Sequence, residues 1–488
     1  MTTLDTIRTR VPARLDRLPW SRWHWVIVAG LGTVWILDGL EVTIVGNIAP
    51  RLSEPDSGIS ISASQVSGLA AAMYVTGACV GALGFGWLTD RLGRKRLFMA
   101  TLAVYLAATA LTALSFDAVW FFVFRFCAGL GIGGEYAAIN SAIDELIPSK
   151  HRGRIDIVIN GSYWLGAAFG ALLSVPALDK GLLPADVGWR LTFALGFVFG
   201  LGILLVRRNV PESPRWLFIH GHERSAERIV DDIEDQVQQT TGTRLEPVED
   251  EIEVRQRSSI GFGVIVKTVF RRYPRRSVLG FSLFVGQAFL YNAITFSFAT
   301  LLTTYFDVGS DSTGYYFAVV AVGNFIGPLA LARLFDTLGR RVMISSTYLV
   351  SGILLLATAW LFDQGHLSAV TITACWTVVL FFASAGASSA YLTVSEVFPM
   401  ETRAMAIAFF YAVGTAAGGI AGPLLFARLI STGAVADTAV AFVIGAALML
   451  LAGLVAVLLA VDAEQRSLED IATPLSAEDA AGNVAATD

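Results

Sequence analysis

Three carboxylates and a guanidinium stand where the chain is otherwise apolar. LDGLEV, residues 37–42, sets Asp38 and Glu41 inside the run HWVIVAGLGTVWILDGLEVTIVGNIAP, and RFCAGLGIGGEY, residues 125–136, carries Arg125 and Glu135. A charged side chain at the centre of a bilayer helix costs roughly 2.5–3.5 kcal/mol on insertion scales, so such groups are protonated, paired or open to a water-filled cavity. Asp38 and Glu41 are three residues apart, which sets them about 60° apart on one helical face and lets both look into one cavity. Arginine beside a carboxylate favours its ionised form, and burial favours the protonated one. A carboxylate balanced between those pressures can load a proton on one side of a membrane and release it on the other. Asp38, Glu41, Arg125 and Glu135 are therefore the proton-coupling candidates. The alternatives are a structural Glu41–Arg125 pair that fixes two helices, and helix-end pairing for Glu135.

Polar and aromatic residues inside the apolar runs are the solute-binding candidates. They are Tyr136, Asn140, Asn160, Tyr163 and Trp164 in the first half, and Gln287, Tyr291, Asn292, Asn324, Tyr391 and Tyr411 in the second. Amides and phenols suit hydroxyl or carboxylate recognition, and aromatic side chains suit a ring. Each serves equally well as a helix–helix hydrogen bond or packing contact.

The elements that must hold these residues follow from composition. Of 488 residues, 55% are hydrophobic and 15% charged, against about 25% charged in soluble proteins. The class is an all-α integral membrane protein. The net charge of −5 gives no support to nucleic-acid binding. The first apolar run is too long for a secretory signal. Cys79, Cys127 and Cys375 all fall in apolar runs and read as buried, inert thiols. There is no disulfide framework and no metal-ligand spacing. No nucleophile–base pair or phosphate loop appears, and GLGIGG at 129–134 lies inside a span with no preceding strand. The glycines at 129–134 and 414–422 read as packing and bending devices. An enzyme, a metal and a cofactor are not expected.

Twelve apolar runs of about 20 residues are long enough to cross a bilayer. They lie near 24–49, 65–88, 97–115, 118–142, 157–178 and 189–206, then 277–305, 314–334, 342–362, 367–392, 404–429 and 437–461. The domain reading is a tail (1–23), a six-helix bundle (24–206), a central loop with short helices (207–276), a second bundle (277–461) and a polar C-terminal tail (462–488). Ser213-Pro214 is a helix-start signal in the central loop. Basic residues concentrate in the N-terminal tail and in the loops holding Arg91, Arg94, Lys95 and Arg96, then Lys150, Arg152 and Arg154, then Arg333, Arg340, Arg341 and Arg403. The positive-inside rule puts both termini and the central loop in the cytoplasm.

DRLGRKR at 90–96 returns as DTLGRR at 336–341, at equivalent places in the two halves. Paired halves around a midplane site are the architecture of secondary transporters. GWLTDRLGRKR, 86–96, matches the loop signature G-x-x-x-D-[RK]-x-G-R-[RK]-[RK] at every position. In this it resembles the major facilitator superfamily. PESPRWL at 211–217, RFCAGLGIGGE at 125–135, GWR at 188–190, SEVFPMETRA at 395–404 and AEQRSLEDI at 463–471 resemble its sugar-porter and metabolite:proton symporter branches. The resemblance covers nearly the whole chain.

The resemblance implies two six-helix pseudo-symmetric bundles and alternating access between them. Glu41 stands where proton-coupled sugar porters carry the first-span aspartate, and Arg125 where they carry its arginine partner. Gating is expected from Gly86, Asp90, Arg91, Gly93, Arg94 and Arg96, from Glu145, Arg152 and Arg154, from Glu212 and Arg215, and from Asp336, Gly339, Arg340, Glu396 and Arg403. The second copy of the motif, with Ala332 and Thr337 replacing glycine and arginine, reads as a degraded gate. Asp144 reads as a gate partner of the basic loops. Of the seventh-span sugar signature only Gln287 and Asn292 survive, and the P-E-T of the tail is missing, which argues against a hexose. GGEY resembles the GGDY of phosphate:proton symporters, and LDGLEV resembles the D-G-x-D of aromatic-acid:proton symporters. The expected function is proton symport of a small polar organic solute by a monomer in a bacterial inner membrane. An organic or aromatic acid is favoured, because the first span has two carboxylates and there is one buried arginine. The rivals are sugar, polyol or phosphate symport, export of a drug-like compound, and a non-transporting nutrient sensor.

Overall fold

A computed structural model describes residues 6–59, 61–207, 212–248, 251–255, 267–464, 466 and 471–472. Eleven of its helices are long and apolar enough, among the described residues, to cross a membrane. The sixth span, Ala185–Arg207, completes twelve. Large apolar side chains stand outward along them, among them Val119, Trp360 and Leu458, as expected of surfaces that face lipid rather than water.

Spans 1–6 pack chiefly on one another and spans 7–12 do the same, and the halves meet along spans 1 and 7, 2 and 11, and 5 and 8. Close approach depends on small residues. A Cβ on Gly129 of the fourth span would lie 1.9 Å from the Tyr74 carbonyl oxygen of the second, and one on Gly133 would lie 1.9 Å from that of Ala78. Membrane helices gain their packing from such backbone contact, because lipid gives apolar side chains no reason to prefer each other. The glycines at 129–134 are thus packing devices.

Several helices outrun the apolar runs that announce them. The first span is Arg22–Leu52 and the fourth Ala118–Leu146. The fifth begins at Ser149 and is interrupted at Ser162, between Ser149–Gly161 and Tyr163–Leu178. The Ser162 hydroxyl donates to the Gly32 carbonyl at 3.0 Å and ties this break to the first span. The eleventh span, Met400–Thr415 and Ala421–Ile430, contains a widened turn at Ala416–Ile420. Polar helix ends project beyond the hydrocarbon and hide the added turns from a hydropathy reading.

The N-terminal tail and the central loop were expected as separate pieces; they form one body. Strand Thr6–Thr9 pairs antiparallel with Ile252–Arg255, so the fold is not wholly helical. Val11, Leu15 and Leu18 of the tail pack on Leu217, Phe218, Ala226, Val230, Ile233 and Val237. Ser213 caps helix Pro214–Ile219 by accepting from the Trp216 amide, as the Ser-Pro pair predicts. The second loop helix, Glu223–Thr241, presents its acids to the tail. Arg14 reaches Glu227 at 2.6 Å, Asp231 at 2.6 Å and Glu234 at 2.7 Å, and Arg17 reaches Glu234 at 2.5 Å. Burial works against ionising Glu234, yet the hydrogen bonds from Arg14 and Arg17 hold its carboxyl below the ordinary value.

Candidate functional site

A cavity of about 110 Å³ lies between the halves. That is small beside the roughly 300–1,000 Å³ of pockets for drug-sized ligands. The first half lines it with Trp35, Asp38, Tyr74, Tyr136, Asn160, Tyr163 and Trp164. The second contributes Gln287, Tyr291, Asn292, Tyr391, Tyr411 and Thr415. No Lys, Arg or His stands among the described lining residues.

Asp38 is the charged group of this cavity. The Tyr74 hydroxyl donates to its Oδ1 at 2.6 Å and the Tyr136 hydroxyl donates to its Oδ2. Two phenol donors arranged this way suit an ionised carboxylate. Glu41 does not share the cavity, contrary to the helical-face expectation. The 60° between the two residues is enough to aim Glu41 into the first half. There Arg125 Nη2 donates to it at 2.5 Å and the Thr109 hydroxyl at 2.7 Å. Arg125 also donates to Thr112 at 3.1 Å and lies over the Phe193 ring at 5.0 Å. Both side chains are buried, and neither lines the cavity. Glu135 is buried against the third span, where the Thr101 hydroxyl donates to it at 3.4 Å. It does not line the cavity either.

Nine of the solute-binding candidates reach the cavity: Tyr136, Asn160, Tyr163, Trp164, Gln287, Tyr291, Asn292, Tyr391 and Tyr411. Asn324 does not, and neither of its amide atoms finds a hydrogen-bond partner in the protein interior. The Asn140 side chain lies outside the described residues. Sequence reading missed Trp35, Tyr74 and Thr415. The signal existed: Trp35 is three residues from Asp38, and Thr415 is four from Tyr411, so each shares a helical face with a candidate. The aromatics form a cluster across the two halves. Tyr136 stacks on Trp35 at 4.6 Å and meets Tyr411 edge-on at 4.7 Å. Tyr391 meets Trp35 at 5.5 Å and Phe284 at 4.9 Å.

On the side that carries the N-terminal strand, the motif glycines take backbone angles that favour glycine: φ is +88° at Gly93 and +100° at Gly339. Gly86 faces Ala408 of the eleventh span, where a Cβ would meet the alanine Cβ at 3.0 Å. The Lys95 amide donates to Glu212 at 3.1 Å. Arg96 is exposed, while Arg215 and Arg403 are buried. The side chains of Asp90, Arg91, Arg94, Asp144 and Glu145 lie outside the described residues. Asp16 accepts from the Ser149 amide at 3.1 Å and from Arg152 at 3.3 Å.

The second motif copy, read as a degraded gate, keeps its ion pairs. Arg340 holds Glu396 through Nε at 3.0 Å and Nη2 at 3.1 Å, and Asp336 through Nη1 at 2.9 Å. The replaced positions, Ala332 and Thr337, are not the ones that form these pairs. The Arg154 amide then crosses between halves to Asp336 at 3.0 Å.

The opposite side also carries a bond between the halves. Glu54 takes Arg51 at 2.5 Å and Lys180 at 2.8 Å, and accepts from Ser310 of the second half at 3.0 Å. Burial opposes ionisation of Glu54, but the Lys180 and Ser310 hydrogen bonds and the Arg51 charge hold its carboxyl below the ordinary value. Bonds between the halves thus stand on both sides of the cavity.

Residues 36–475 match the family model described as "Sugar (and other) transporter". The chain is 27% identical over 421 residues to the niacin transporter of Acinetobacter baylyi, covering 86% of this chain and 90% of that one. It is 26% identical to myo-inositol transporter 2 of Schizosaccharomyces pombe, over 80% of this chain and 72% of that one. It is 25% identical to organic cation/carnitine transporter 7 of Arabidopsis thaliana, over 87% and 89%. Among solved structures it resembles the proton:xylose symporter XylE bound to 6-bromo-6-deoxy-D-glucose, with TM-score 0.73, 18% identity, and 92% and 98% of the two chains covered. The inward-open form of XylE from E. coli matches less well, with TM-score 0.63, 19% identity, and 92% and 98% coverage.

Proposed function

The chain belongs to the sugar (and other) transporter family of the major facilitator superfamily, and from that premise we propose a proton-coupled secondary transporter working by alternating access. The observation that carries this reading is Asp38. It is a carboxylate buried in the cavity between the halves, held by two phenols and with no cation among the described residues that line the cavity. Such a charge inside a membrane needs a proton or a cationic solute beside it. Asp38 takes a proton from the far side together with the solute and gives it up to the side bearing the strand, which is the cytoplasm of a bacterial inner membrane. One chain supplies both walls of the site, so a monomer suffices.

The solute is small, polar and ring-bearing. Phenols, amides and the Thr415 hydroxyl supply hydrogen bonds, and Trp35, Trp164 and the tyrosines supply flat faces. The organic-acid preference drew on Arg125, which Glu41 occupies away from the cavity. An aromatic acid still fits if it enters as the anion beside protonated Asp38, which is symport. The relative named for niacin supports that class.

A second reading is favoured by the lack of lining cations: an organic cation would pair with ionised Asp38 and stack on the rings. The relative named for organic cations and carnitine supports it. The test is uptake of nicotinate, benzoate, myo-inositol and carnitine into proteoliposomes across external pH. Symport of an acid or neutral solute strengthens as external pH falls, and a cation weakens because protons compete for Asp38. Asp38→Asn abolishes proton-driven accumulation while leaving exchange of a neutral solute. Full proton-driven accumulation in Asp38→Asn would refute the reading.

A further inference from the structure

The proton on Asp38 must be felt by the gates, and one side chain is placed to transmit it. Tyr136 donates its hydroxyl to Asp38 Oδ2. Its ring is stacked on Trp35 at 4.6 Å, with an interplanar angle of 16°, and stands edge-on to Tyr411 at 4.7 Å. Trp35 and Tyr136 belong to the first half, and Tyr411 to the second. Tyr391, also of the second half, meets Trp35 at 5.5 Å and Tyr136 at 6.3 Å. One phenol therefore joins the cavity carboxylate to an aromatic contact that holds the halves together. Tyr74, the other donor to Asp38, lacks this role: its cross-half ring contact is a single one to Phe296 at 6.4 Å.

We propose that Tyr136 is a positioning residue that couples the protonation of Asp38 to opening of the site toward the side bearing the N-terminal strand. The inference rests on the reading of Asp38 as the proton carrier. A proton arriving from the far side bonds to Asp38 Oδ2, which becomes a hydroxyl donor and a much weaker acceptor toward Tyr136 than the carboxylate oxygen. The Tyr136 O–H bond stays intact and turns away, and the ring leaves its register between Trp35 and Tyr411. When the proton departs to the other side, Oδ2 accepts from Tyr136 again and the aromatic contact re-forms.

The groups that surround Asp38 leave this step to Tyr136. On its own helix Glu41 is neutralised by Arg125. On the second span stands Tyr74, which keeps its bond to Oδ1. On the third, Tyr105 points its hydroxyl at the Leu37 carbonyl at 3.5 Å. On the fourth, Glu135 faces Thr101. Tyr163, Tyr391 and Tyr411 complete the ring of phenols, and among the described residues Tyr74 and Tyr136 are the donors to Asp38.

The experiment needs no solute. Spin labels go on cysteines introduced at Lys150 and Leu338, both exposed on the strand-bearing side of opposite halves. Cys79, Cys127 and Cys375 are replaced by alanine. Pulsed electron resonance then reads the distance across pH in wild type, Tyr136→Phe, Tyr74→Phe and Asp38→Asn. Acid should shift wild type and Tyr74→Phe toward the long-distance population. Tyr136→Phe, which keeps the ring and loses the hydrogen bond, should show no shift. A wild-type response in Tyr136→Phe, or an equal loss in Tyr74→Phe, would overturn the proposal. If Asp38→Asn is flat while Tyr136→Phe responds, only this inference fails. If Asp38→Asn responds as wild type does, the proton-carrier reading fails with it.

Discussion

The Glu41–Arg125 pair is the sharpest place to separate a structural role from a transport role. Its side chains are 2% and 0% exposed. Among the described residues Arg125 finds one carboxylate, and its Nε and Nη1 have no hydrogen-bond partner. Glu41→Gln therefore leaves a buried guanidinium without a counter-charge. Breaking a buried pair on one side costs about 3–5 kcal/mol, whereas replacing both members is often neutral or better. The double variant Glu41→Gln/Arg125→Met keeps an acceptor for Thr109 but loses the bond to Thr112 and buries a glutamine amide N–H where the carboxylate accepted from Arg125, at about 1 kcal/mol each. It should sit within about 2 kcal/mol of wild type, so the coupling energy between the two sites is about 3 kcal/mol or more. The assay is reversible unfolding in mixed detergent, with solute exchange in proteoliposomes beside it. Glu41→Gln should be strongly destabilised, the double variant largely restored, and exchange with proton-driven accumulation retained in the double. A Glu41→Gln protein as stable as wild type would refute the structural assignment. So would a restored double variant that cannot accumulate solute, because the pair would then belong to the coupling machinery.

Gly129→Ala puts a Cβ 1.9 Å from the Tyr74 carbonyl oxygen. The expected cost is about 1–3 kcal/mol of overpacking, with weaker solute binding as Tyr74 is drawn off Asp38; melting and counterflow read both. Gly339→Ala forces a side chain onto φ +100°, in a region that only glycine populates freely, and should cost about 1–3 kcal/mol in a melting assay. The Glu54 carboxyl is held below its ordinary value, first against burial and then by Lys180, Ser310 and Arg51. A depressed carboxyl stabilises above its unfolded pKa and loses that contribution as pH falls through the folded one. The far-side closure should therefore persist from about pH 5 to 8 and weaken only below the ordinary carboxylate range near about 4. Glu54→Gln should weaken it at neutral pH, read as faster modification by an aqueous thiol reagent of a cysteine placed at Thr295, which lines the cavity.

The twelve spans were legible because each is a long apolar run, and their ends were not because a polar helical turn looks like a loop. The cavity was legible to the extent that polar and aromatic residues are out of place in such runs. Spacing could put Asp38 and Glu41 on one face, but could not say which of them meets a partner from elsewhere. Glu41 is turned away by Thr109 and Arg125, 68 and 84 positions along the chain. Asn324 has the same credentials as Asn292, yet only one of them lines the cavity. Trp35 went unread because tryptophan is unremarkable in an apolar helix. The strand pairing of the tail was invisible because four residues carry too little alternation to register.

That pairing bears on how the protein is made. Arg8 meets Glu253 at 2.7 Å across 245 positions of sequence, and Val11 and Leu15 share a buried cluster with the loop helices. Residues 6–18 are made before the six spans of the first half, yet their docking site is synthesised only after those spans. Through that interval an apolar, arginine-bearing segment stays undocked beside the membrane surface. A bulky fusion at the N-terminus would sit next to this late-forming seam, and should slow its assembly more than a fusion at the opposite terminus would.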